Sequence, residues 1–216
     1  MEYLSRLVAL GFNPDIIIDI GAYKLEWTYN TMLYYPYARY LAFEPNIYVE
    51  HNNIPPNVTI INKVLSSVEE NVDWYSNRST GDSFFKEKSC YYESIQSIKK
   101  KTSTLDHEVQ TSNIFYNNVF LKLDTQGSEL EIIKGSLMVL EKTDFILSEV
   151  PMFGEYNMRC PNFRTYINTF DDLGFIPFEI TDSHYRGSEN FQIQIDILFV
   201  NKKNKVNKII SEKVFQ

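Results

Sequence analysis

Short, uninterrupted apolar runs alternate along this chain with stretches whose apolar residues recur at helical spacing. Residues 15–20 read Asp-Ile-Ile-Ile-Asp-Ile between Asn13-Pro14 and Gly21, the pattern of a strand buried on both faces. A helix is predicted over 24–34. Residues 40–43 form a second short buried strand stopped by Glu44-Pro45, after which Asn46 can cap a helix over about 47–53. A third strand, 58–61, follows Pro55-Pro56-Asn57. This alternation of strand and helix predicts parallel pairing through right-handed crossovers.

Residues 66–117 mix polar and aromatic positions without a period, and Asn-Arg-Ser-Thr-Gly-Asp at 77–82 marks a loop. An extra hairpin is expected here, with 73–75 as one arm, because a structureless loop of this length is rare inside a compact domain. A second strand-helix-strand unit covers 119–124, 127–141 and 144–149. A helix over 162–173 carries Phe163, Tyr166, Ile167, Phe170 and Leu173 on one face, and Gly174 ends it. Strands at 175–180 and 192–200, joined by a loop over 181–190, add an antiparallel strand to the sheet. From Asn201 the chain holds five lysines and is read as a solvated closing segment. The expected architecture is one doubly wound, mostly parallel α/β domain over 1–200, with a Lys-rich tail over 201–216.

The length of 216 residues suits one such domain with an ample core. With 28 acidic against 21 basic residues the chain carries a net charge of −7, so it lacks the field that attracts phosphate backbones, and nucleic acid is a disfavoured partner. Cys90 and Cys160 stand far apart in no CxxC spacing, which predicts neither a disulfide framework nor a zinc site. No stretch reaches the ~20 apolar residues of a membrane span, and residues 1–6 do not open a secretory signal. A soluble, cytoplasmic protein is expected.

In an open parallel sheet, ligands bind beyond the carboxyl ends of the strands, where strand order reverses. Four predicted strand ends each carry an acid: Asp19, Glu44, Asp124 and Glu149. Each alone reads equally well as a helix cap or first-turn acid, but together they favour a site. After Asp19, Gly21 and Ala22 open a loop that lets backbone approach a ligand. Glu44, about 25 residues later, stands where nucleoside-binding folds place a carboxylate for the ribose hydroxyls. Gly21 is the only glycine of that loop, which argues against a nicotinamide-binding loop with its three glycines.

The run Lys122-Leu123-Asp124-Thr125-Gln126-Gly127-Ser128-Glu129, closing at Gly135, resembles the signature K-x-D-x-Q-G-x-E-x-x-x-x-x-G of FkbM-family methyltransferases. Asp19-Ile20-Gly21-Ala22 and Ala42-Phe43-Glu44-Pro45 are similar to the family's first two motifs. Val64-Leu65-Ser66-Ser67 and Thr104-Leu105-Asp106 fit in order, so the resemblance covers roughly residues 15–200. It implies a Rossmann-like class I methyltransferase fold, seven strands with the last antiparallel, and S-adenosylmethionine as cofactor. By position, Asp19, Gly21 and Ala22 would flank the methionine portion, Glu44 the ribose, Ser66 the adenine, and Asp124 the amino group or the acceptor. One departure stands out: Tyr23 and Leu25 replace a small polar residue and a second glycine. Leu25 is therefore expected to crowd a place where backbone lies close to the cofactor.

The resemblance implies O-methyl transfer to a sugar or other small metabolite. Such a hydroxyl needs a base, for which Asp124 and Glu149 are the first candidates and His184, in the 181–190 loop, the next. Asp124 and Glu149 could also hold a divalent metal, an option the pattern allows without requiring it. His51 and His107 have no comparable placement. Tyr156, Arg159, Tyr185 and Arg186 fall in loops where an acceptor would enter. The competing reading is a methyltransferase-fold binding module without turnover.

Overall fold

The computed structural model describes residues 1–152 and 157–214. Its large sheet holds seven strands: β1 (Ile16–Ile20), β2 (Arg39–Phe43), β3 (Val58–Ile61), β7 (Val119–Leu123), β8 (Thr143–Pro151), β9 (Phe175–Arg186) and β10 (Phe191–Asn201). Their order is β3-β2-β1-β7-β8-β10-β9, so strand order reverses between β1 and β7. Only β10 runs antiparallel to its neighbours β8 and β9, as expected for the last strand. The strands β1 and β7 are buried at every position because both faces are covered, which is why they read as apolar runs broken only by Asp19 and Lys122.

Two apolar layers sandwich the sheet. One gathers Ile16, Ile18, Leu121 and Leu123 with α4 (Glu129–Lys134), α5 (Leu137–Leu140) and α6 (Phe163–Asp172). The other joins Ile17, Phe120 and Phe145 to α1 (Glu2–Ala9) and to Leu25, just before α2 (Glu26–Met32). The segment after Asn201 carries α7 (Val206–Val214), whose Val206 is buried in this second layer. Among the described residues, no helix is long and apolar enough to cross a membrane.

Several expectations are corrected. No helix follows β2: Asn46 accepts the Tyr48 N–H at 3.1 Å in a single turn, and Ile47 and Tyr48 are exposed, so a helix there would have no face to bury. The hairpin expected around 73–75 is a separate three-stranded sheet in which β5 (Asn71–Trp74) pairs antiparallel with β6 (Ile98–Ser103), and β6 pairs in parallel with β4 (Val64–Leu65). It leads into an unforeseen helix, α3 (Leu105–Thr111).

The helix expected over 127–141 breaks into α4 and α5 at Gly135. A Cβ there would sit 2.4 Å from the Ser66 carbonyl oxygen, so backbone packs directly on backbone. The 181–190 loop shrinks to a turn, because β9 continues to Arg186 and pairs with Phe191. Those added residues are polar because they extend past the core.

Leu25 also behaves differently from expectation. Its backbone takes the left-handed conformation (φ 65°) that glycine favours, while its side chain is fully buried beside Ala22 and Tyr35. The loop thus keeps a glycine-like path, and the isobutyl group leaves on the core side. Leu25→Gly should relieve about 1 kcal/mol of backbone strain yet forfeit the larger burial, for a net loss of about 2–4 kcal/mol. Urea unfolding of the variant measures this; equal or higher stability would mean the side chain is not packed as described.

Candidate active site

At the switch point, the first loop and the end of β7 meet with no room to spare. Gly21 has φ 80°, and a Cβ on it would overlap the Asp124 carbonyl oxygen at 1.8 Å. Register explains what holds the junction. Asp19 lies directly opposite Lys122 on the neighbouring strand, so both side chains leave the same face. The Lys122 Nζ donates to Asp19 Oδ1 at 3.0 Å and to the Gly21 carbonyl at 3.1 Å, and stands 3.4 Å from Asp124 Oδ2. Asp19 takes a second bond, 2.6 Å, from Thr28 of α2. Burial alone would lower the Lys122 pKa, but Asp19 and then Asp124 outweigh it and hold the ammonium above its ordinary value.

The turn after β7 is built by the same motif. Gln126 (φ 58°) and Gly127 (φ 100°) both take left-handed conformations, and a Cβ on Gly127 would press on Cys160 at 2.7 Å. Glu129, buried at the start of α4, closes the turn by accepting the N–H groups of Thr125 at 2.7 Å and Gly127 at 3.2 Å. Its other oxygen accepts the Tyr166 hydroxyl at 2.5 Å. The Gln126 amide points the opposite way, donating to Asp124 Oδ1 at 3.2 Å and to Glu149 Oε2 at 3.0 Å. One side-chain amide therefore bridges two carboxylates that would otherwise repel.

Beyond these strand ends lies a cleft of about 400 Å³, within the ~300–1,000 Å³ usual for small-ligand sites. On one side stands Glu44 at the end of β2. Its carboxylate is fixed by two backbone donors, Tyr23 N–H at 2.8 Å and Asn46 N–H at 2.7 Å. Burial raises its pKa, and those two bonds only partly oppose the shift. Leu65, Ile132 and Phe43 supply an apolar wall beside it. The loop around Ser79-Thr80 forms the rim, shaped by Asp82, which accepts from Asn77 N–H at 3.0 Å and from the Tyr92 hydroxyl at 2.9 Å.

The far side of the cleft comes from β8, β9 and β10. Glu149 is buried; burial, then the charges of Asp124, Glu129 and Asp196, push its carboxyl well above the usual range. His184 lies 3.3 Å from Asp196, and that contact raises the imidazole pKa. Arg186 is bonded to the buried Glu87 at 2.9 Å, which ties β9 to the rim loop. A second cavity, reached past Asp124 and Glu149, is lined by Ala22, Lys24, Trp27, Lys122 and Asp196.

Of the residues singled out from sequence, Gly21, Glu44, Asp124, Glu149 and His184 line the main cleft, together with Tyr185 and Arg186. Ala22 lines the second cavity. Asp19 lies beneath, as the partner of Lys122. Ser66 is buried away from the cleft, its backbone N–H on the Ser103 carbonyl at 2.9 Å, and its neighbours Val64 and Leu65 reach the cleft instead. Asp106 is likewise architectural, capping α5 by accepting from Met138 and Val139 at 3.0 Å each. His51 does reach the first loop, bonded to the Tyr23 carbonyl at 2.6 Å. Tyr156 lies outside the described residues, and Arg159 is not among the lining residues.

The sequence pattern assigns no separate role to Lys122, Gln126 or Asp196, the first two standing only as letters of the signature. A lysine inside an otherwise apolar buried strand was the visible signal for Lys122. Asp196 had none, since its meaning depends on register. Lys122→Met should cost about 3–5 kcal/mol, because Asp19 is left charged and buried with the Thr28 hydroxyl but no counter-charge. The double variant Asp19→Asn/Lys122→Met should lose less than Lys122→Met alone. Denaturant midpoints of the two variants check this, and equal losses would contradict the pairing.

The model of the methyltransferase FkbM domain matches residues 19–202, while no curated protein matches the chain. Solved structures with a similar fold include the precorrin-6y C5,15-methyltransferase of Geobacter metallireducens, at 14% identity and a TM-score of 0.48 over 93% of this chain and 88% of that one. Another is the 1,6-didemethyltoxoflavin N1-methyltransferase of Burkholderia thailandensis, solved with S-adenosylhomocysteine, at 10% identity and a TM-score of 0.44 over 91% and 75%. With the family model spanning most of its length, from Asp19 through the signature turn to the end of β10, the chain belongs to the FkbM methyltransferase domain family.

Proposed function

We propose that the protein transfers the methyl group of S-adenosylmethionine to a hydroxyl oxygen of a sugar or another small hydroxylated metabolite. The observation that carries the reading is the arrangement around Glu44: a buried carboxylate, held rigid by two backbone N–H groups, facing a cleft with an apolar wall. A fixed carboxylate acceptor beside an apolar wall suits a ribose diol beside a purine. The Gly21–Asp124 contact fits the same occupant, since it narrows the first loop to bare backbone next to the cleft. When bound there, S-adenosylmethionine supplies an electrophilic methyl group on a sulfonium centre.

The chain's own groups then have separable roles. Glu44 accepts the ribose hydroxyls. Asp124 stands where the cleft and the second cavity meet, with its side chain 42% exposed, and is the group we assign to take the proton from the acceptor hydroxyl. Lys122 and Gln126 fix its orientation, which favours an in-line approach of the acceptor oxygen. A binding module without turnover draws its support from a distorted first loop, and the left-handed path of Leu25 removes that support.

Calorimetry with S-adenosylmethionine and a methyl-transfer screen over glycans and hydroxylated metabolites test the proposal. Glu44→Ala should weaken cofactor binding by about 1–3 kcal/mol, because the ribose donors lose their acceptor. An unchanged dissociation constant would remove Glu44 from the site. Asp124→Asn, nearly isosteric, should cut turnover on the acceptor so found by roughly 10²–10⁴-fold while moving the melting temperature little. Wild-type turnover in that variant would exclude Asp124 as the base.

A further inference from the structure

We propose that Tyr23 and Trp27 form an aromatic subsite that selects an acceptor whose hydroxyl is borne on a ring with an apolar face. The inference rests on the methyl-transfer reading above and names the part of the acceptor that the second cavity takes. That cavity, about 230 Å³, opens from the main cleft at Gly21, Tyr23, Thr80, Asp124 and Glu149, which line both. Trp27 borders it further on, with Leu147 and Asp196, and the same three residues line a third hollow of about 480 Å³ bounded by α1 and β9. A ring in the second cavity therefore lies beside Asp124, with an outlet over Trp27. The volume decides how much of the acceptor stays there. It falls below the ~300 Å³ at which sites for whole small-molecule ligands begin, so a single ring fits and any further substituent continues into the hollow.

Residue 23 is also where this chain departs from the first motif, with tyrosine in place of a small polar residue. Its backbone is committed to the loop: the N–H donates to Glu44 Oε2 at 2.8 Å, and the carbonyl accepts from His51 Nε2 at 2.6 Å. These bonds hold it at φ 42°, a left-handed value that is costly for a bulky side chain. Any residue could make them, so the phenol ring is the part that the loop does not explain. Trp27 is fixed in turn by its indole N–H on the Tyr3 hydroxyl at 2.9 Å and by edge contact with Phe120, ring centroids 5.7 Å apart. It packs on the second apolar layer yet stays partly exposed at both hollows. Two aromatic side chains so anchored offer rigid contact area with little rotamer entropy left to lose, which suits the flat face of a sugar ring or a phenol. Asp196, its side chain 27% exposed, can accept from a second hydroxyl of that ring. Entry over Trp27 differs from entry by the Tyr185-Arg186 segment, which the sequence suggests.

The test is saturation-transfer-difference NMR on the full chain with two probes, methyl β-D-glucopyranoside and catechol, each with and without S-adenosylhomocysteine. Wild-type protein should saturate at least one of them, and the stronger signal tells a sugar ring from a phenol. Tyr23→Ser removes the ring but keeps the backbone bonds to Glu44 and His51, and should weaken that probe roughly three- to tenfold. Trp27→Phe should weaken it too, and serves as the readout if Tyr23→Ser fails to fold. Saturation of neither probe, or equal binding by wild type and both variants, would overturn the subsite. Calorimetry with S-adenosylmethionine on the same samples separates the two proposals. Tyr23→Ser should keep the wild-type cofactor affinity, because only the backbone of residue 23 meets Glu44. Failure of the wild type to bind the cofactor counts against the methyl-transfer reading, whereas the subsite is judged by the probes.

Discussion

The buried pairing of Asp19 with Lys122 is the constraint on which the rest of this molecule depends. It joins β1 to β7 where strand order reverses, and it exists only because parallel register sets the two residues opposite each other. A buried ion pair rarely adds much net stability, since desolvating both groups offsets their attraction. Its effect here is positional. The same ammonium holds the Gly21 carbonyl and stands beside Asp124, so the first loop and the proposed base are located by one group. A slip of one residue between these strands would turn either side chain to the opposite face and leave a charge in an apolar layer.

Seen from that junction, the family signature is chiefly a recipe for a turn. Gly127 lies where Cys160 leaves no room for a side chain, Glu129 collects the turn's free N–H groups, and Gly135 lets α4 and α5 rest on the Ser66 backbone. Gln126 alone of these faces the carboxylates of the cleft. The distant segments around Ser66 and Asp106 meet at the same helix break, with the Asp106 N–H on the Gly135 carbonyl at 3.1 Å. Much of what the motifs encode is therefore close packing of backbone, which sets the cleft's shape without touching its contents.

The parallel half of the fold was legible because strands covered on both faces must be largely apolar, and 16–20 and 119–123 are so except at Asp19 and Lys122. The acids at their ends could be read for the same reason, as polar residues stopping apolar runs. What stayed hidden depends on information a linear pattern does not hold. The small sheet of β4, β5 and β6 is half exposed and has no clean alternation. The outer part of β9 is polar on both faces, so it looks like a loop. Asp196 and Lys122 acquire meaning only from the residue across the strand. Leu25 was misjudged because residue type suggested a side chain in the cleft, whereas backbone dihedral sends it into the core.

The antiparallel insertion of β10 divides labour in a way that bears on how such proteins diversify. The groups assigned to the cofactor come from β1, β2 and β7, whose positions are locked by shared register and the buried ammonium. The far wall comes from the β9–β10 hairpin, whose outer half is solvated, bulged and held to the rim by the Arg186–Glu87 pair. Exchanging residues on that arm alters one wall while the strand ends opposite stay in place. On the proposed reading, the wall that meets the acceptor can therefore be recut without disturbing the wall that holds the methyl donor.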